Sequence, residues 1–96
     1  MSSNTPGSWD LDTLLEHFKV AVRFRQAYHV RRGEEVLAKA LNHAIDAAEF
    51  AAAKGKQQEV LAAYHEFLDS LEDFSPESRA EFRRSVEDAG LEIPDW

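Results

Sequence analysis

Apolar residues recur along this chain at spacings of three and four, and nowhere alternate long enough to specify a strand. Leu11, Leu15, Phe18 and Val22 set the first seam, with a coiled-coil-like rhythm. Continued, that rhythm reaches Arg25, His29 and Arg32, so a face that begins apolar ends cationic. A second seam, His17, Ala21, Phe24 and Tyr28, lies about 120° around the same helix. A helix apolar on two faces needs cover from two sides; its own chain on one side and a partner on the other would supply it. Ser8 or Asp10 can cap this helix, which should run to about Arg32 and stop at Gly33.

A second helix is expected over about 34–54. Leu37, Ala40, Leu41, Ala44, Ile45, Ala48 and Ala52 share a broad face there, opposite Lys39, Asn42, Asp46 and Ala53. Small side chains on that face allow another helix to approach closely. Gly55, between two lysines, predicts a hairpin turn into a third helix over about 57–73, with one unbroken rod as the alternative. In the hairpin the alanine face meets Val60, Tyr64 and Phe67. Ser75, Pro76 and Glu77 spell the start of a shorter fourth helix, which Gly90 closes. The expected fold is all-α: a single-domain bundle of three longer helices and a shorter C-terminal fourth. Residues 1–7 form a flexible arm, 8–90 the bundle and 91–96 an acidic tail.

Composition narrows the class. Ninety-six residues, 44% of them hydrophobic, suit one folded domain with a modest core. The absence of cysteine excludes a disulfide scaffold and a zinc–thiolate site. The first seven residues lack the basic and apolar regions of a signal peptide, and no apolar run reaches membrane-span length, so a soluble cytoplasmic protein is expected. The net charge of −7 conceals an asymmetry. Residues 1–56 hold eight Lys/Arg against seven Asp/Glu, whereas residues 57–96 hold three against eleven. The first helix is locally basic, with no acidic residue from His17 to Gly33.

Candidate chemistry is sparse. Arg25, His29 and Arg32 can be stems covering the end of the core, partners of carboxylates in the acidic half, or a grip on nucleic acid. The last requires a basic field that the overall charge opposes. Arg23 and His29 share the R-x5-H spacing, which resembles the motif of the helical HEPN ribonucleases. The residue after the arginine is Phe24 rather than a polar one, and the two side chains fall about 120° apart on a helix. No Glu-x-x-His or His-x-x-x-His pair offers a helical metal site, and no nucleophile elbow or P-loop is present. No catalytic, metal or cofactor-binding residue is therefore assigned. The stretch from Ala47 to Leu68 resembles the turn between helices of a tetratricopeptide repeat. It lacks that family's proline and leading tryptophan, and one hairpin cannot build a solenoid.

The carboxylates Glu66, Asp69, Glu72 and Asp73 form the densest part of the acidic half. With Arg25, His29 and Arg32 they are the candidate partner-binding residues. The expected function is non-catalytic: a regulator, inhibitor or assembly subunit that binds a protein, a basic one suiting its acidic half, and self-associates. The alternative is a nucleic-acid-binding or RNA-cleaving domain that uses the basic first helix.

Overall fold

The structure is a computed structural model that describes residues 6–93. It contains four α-helices and no strand among those residues: α1 (Leu11–Arg31), α2 (Glu35–Ala53), α3 (Gln57–Ser70) and α4 (Pro76–Asp88). A 3-10 turn over Pro6–Ser8 precedes α1, and another over Leu71–Asp73 ends the third helix earlier than its expected limit. The all-α bundle with a shorter final helix is what forms.

The caps explain the boundaries. Of the two candidate caps for α1, Asp10 serves, its carboxylate accepting the Thr13 N–H at 2.8 Å. Hydrogen bonding to the Thr13 side chain, and then to its N–H, holds the Asp10 pKa below the usual carboxylate value. At the other end Gly33, at φ +74°, donates to Val30 O, and Glu34 N–H donates to His29 O. This paired closure is the Schellman motif, and its left-handed residue favours glycine. Gly55 repeats it at φ +71°, with Lys56 N–H reaching Ala51 O at 2.9 Å. The hairpin reading of Gly55 holds, and the continuous rod does not. Ser75 caps α4 through Ser78 N–H, with Pro76 in the first turn.

α1 is the central helix and touches the other three. Its first seam, Phe18 and Val22 above all, packs toward α2 and α3. The second seam meets aromatic residues of the same chain. Trp9 stacks on His17 with ring centroids 3.9 Å apart, Phe82 sits 5.3 Å from Phe24, and Phe74 lies 4.7 Å from Tyr28. Both seams of α1 are thus covered from within, so this helix gives no reason to call for a second subunit. Gln57 donates to Trp9 O at 2.7 Å and ties the segment before α1 to the start of α3. The core also reaches past the expected limit at 90: Leu91 and Ile93 pack against it. The remainder of the expected arm and tail, 1–5 and 94–96, lies outside the described residues.

Candidate functional site

The cationic end of α1 is compensated mainly by its own turn. Glu34 Oε1 lies 3.1 Å from both His29 Nδ1 and Arg32 Nε. The hydrogen bond from His29, then Arg32, keeps the Glu34 carboxyl below its ordinary pKa. The Arg32 guanidinium also stands 5.4 Å above the Tyr28 ring. Pairing of Arg32 with the acidic half is therefore replaced by a local contact, because the Schellman turn carries Glu34 back beneath the end of α1. The residue that does reach α4 is Arg31, whose Nη2 lies 3.5 Å from Glu81 Oε2 at an exposed position. Arg25 turns the other way. Its Nη1 donates to Ser70 Oγ at 3.4 Å, and Ser70 in turn donates to Phe67 O at 2.6 Å.

Arg25 marks one end of a groove. α1 supplies its floor with Phe18 and Val22, α2 one wall with Leu41 and Ala44, and α3 the other with Ala63 and Phe67; Glu66 joins Arg25 at the rim. The cleft there is about 310 Å³. Toward Gly55 it continues between Ala47, Ala48 and Ala51 of α2 and Glu59, Val60 and Ala63 of α3, in a further cleft of about 210 Å³. The cause lies in the residue sizes. Ala48 and Ala51 are buried against the core with Val60, so the cleft is smaller toward the Gly55 end. Farther along, Ala44 and Ala63 line the gap from its two sides, and neither is long enough to fill it. Glu59 and Glu66, both exposed and seven residues apart, stand along the α3 lip.

The seven sequence candidates separate on this framework. Arg25 and Glu66 come together at the groove. His29 and Arg32 stay at the α1–α2 turn. Asp69, Glu72 and Asp73 are exposed around the end of α3 and the 3-10 turn, outside the groove lining. The expected alanine contact with Val60 is present, but the alanines beyond it, Ala44 and Ala47, were not foreseen as an open wall.

A second cleft, of about 300 Å³, lies between α1 and α4 and is lined by Arg23, Phe24, Arg31 and Glu81 among others. Arg31 and Glu81 already pair across it. Among the described residues, no three His, Asp or Glu side chains are grouped to share a metal ion, and no helix is long and apolar enough to cross a membrane. The chain matches no known protein-family model, no curated protein and no solved structure.

Proposed function

We propose that this chain is a non-catalytic protein-binding module whose α2–α3 groove receives an amphipathic helix from another protein. The observation that carries the reading is the groove itself: an apolar trough between two helices, floored by Phe18 and Val22 and walled by alanines. Packed helices lie about 8–10 Å apart, according to the side chains at the contact, and apolar anchors at successive turns are the usual reading mode of such grooves. The carboxylates of Glu59 and Glu66 along the lip select a helix with a cationic flank, and they steer its approach through the acidic half of the chain. Arg25 at the far end receives a carboxylate or a helix C-terminus. A regulator or assembly subunit in the cytoplasm works in this way without any catalytic group.

The basic first helix supports the nucleic-acid alternative less well. His29 and Arg32 share Glu34, Arg31 meets Glu81, and Phe24 is buried rather than free to stack on a base.

Placement of a photoreactive amino acid at Ala63, in host extract, tests the reading. The expected product is one protein cross-linked through a helix with basic residues beside its apolar face, and it should disappear in Glu59→Lys with Glu66→Lys. Cross-links through an acidic segment, or cross-links indifferent to the two reversals, would contradict it.

A further inference from the structure

The surface of α2 that faces away from the groove floor carries a second regular pattern. Val36, Ala40, His43, Ala47 and Phe50 follow one another at spacings of four, three, four and three, and all five are exposed. Val36 is 82% exposed and Phe50 64%, the largest values among the exposed large apolar residues of the described chain. Ordinary surface helices carry a polar stripe on the side opposite the core. α2 carries such a stripe in Lys39, Asn42, Asp46 and Glu49, and beside it presents a heptad seam about 21 Å long, at 1.5 Å per residue, with its bulky residues at the two ends and small ones between.

We infer that this seam is the interface between two copies of the chain, joined by their α2 helices in antiparallel orientation about a two-fold axis near His43. The choice of a second copy rests on self-complementarity. Reversing the seam end for end places Val36 against Phe50 of the second copy and Ala40 against its Ala47, so a bulky pair closes each end and alanines meet between. The flanking charges choose the orientation. Lys39 and Asp46 occupy equivalent flanking positions one heptad apart, on the same side of the seam, and both are exposed. Antiparallel helices bring such flanks together, so Lys39 of each copy faces Asp46 of the other, and symmetry makes two ion pairs. In a parallel pair the residue across from Lys39 is Ala44, and no opposite charges meet. Lys54, whose ammonium lies 4.3 Å over the Phe50 ring, bounds the seam with a cation. This interface replaces the one expected on α1, and it does not depend on what the groove binds; only Ala47 borders both.

Charge exchange and cross-linking test the arrangement together. In sedimentation velocity from micromolar to high micromolar concentration, the chain should form a dimer. Lys39→Asp and Asp46→Lys alone should each weaken it by about tenfold, since two attractive pairs become repulsive. The two changes combined should restore it. Because the chain contains no cysteine, Val36→Cys mixed with Phe50→Cys should yield a disulfide-linked heterodimer, and Val36→Cys alone should not link to itself. All these positions are exposed, so unchanged melting temperatures of the monomeric fold are the control. A monomer throughout, a dimer indifferent to the charge changes, or self-linking of Val36→Cys would each overturn the inference.

Discussion

At Gly55 the backbone adopts φ +71°, and a Cβ built there would meet nothing within 4 Å. Substitution therefore isolates backbone strain from packing. Gly55→Ala should lower the unfolding free energy by about 1–2 kcal/mol, the cost of a left-handed L-residue, with Gly55→Asn losing less. Urea denaturation of the two variants checks this, and stabilisation by alanine would contradict the hairpin. His17 offers a different single-residue test. It is 1% exposed, stacked on Trp9 and tilted against Tyr64. Its buried Nδ1 and the buried Tyr64 hydroxyl have no hydrogen-bond partner among the described residues. Burial pushes the imidazole pKa down and the phenol pKa up. An imidazole whose pKa is lower in the folded state takes up more protons when the chain unfolds. Its neutral form supports the fold fully above the unfolded pKa of about 6.5, and stability falls as pH drops below that value. His17→Phe, which keeps an aromatic ring against Trp9, should flatten that acid slope in urea melts compared between neutral and mildly acidic buffer. An unchanged slope would place the acid sensitivity elsewhere.

Helices and their ends were largely legible in the sequence, because caps and glycines act locally. Asp10, Gly33, Gly55 and Ser75 each speak for a boundary without help from distant contacts. What each helix face meets is a different matter. The second seam of α1 pointed to missing cover, yet Trp9, Phe74 and Phe82 supply it from segments whose packing no periodicity specifies. The groove and the outer seam of α2 were obscured for a related reason: alanine reads equally as core, as close-contact surface and as bare helix. The arginine stripe was visible, but its partner, Glu34, depends on the direction in which the turn returns the chain. That local pairing sets a prediction. Arg32 and Glu34 are both substantially exposed, so Arg32→Glu should change stability by no more than about 0.5 kcal/mol. Arg25→Glu acts at a half-buried position beside Ser70 and Glu66, where it adds a like charge near the groove end. It should cost about 1 kcal/mol or more, with part of the loss masked by salt. Equal, negligible effects at both sites in thermal melts would show that Arg25 simply reaches water.

As a whole, the molecule has one central helix whose two apolar seams are packed by the rest of the chain and a second helix that leaves more apolar surface open. α2 contributes Ala38, Ala48 and Ala51 to buried positions, and it leaves apolar surface both in the groove and along its outer seam. Surface of that kind, on a chain with net charge −7, is what the proposed binding role rests on. The most direct measurement is a titration of isotopically labelled protein with two amphipathic helical peptides of about 15–18 residues, one built from leucine and lysine, the other from leucine and glutamate. The lysine peptide alone should bind in the groove, with amide and methyl shifts centred on Leu41, Ala44, Ala63 and Phe67. Binding should weaken at least about tenfold in Glu59→Lys with Glu66→Lys. Equal binding of both peptides, or shifts confined to the cleft between α1 and α4, would contradict it.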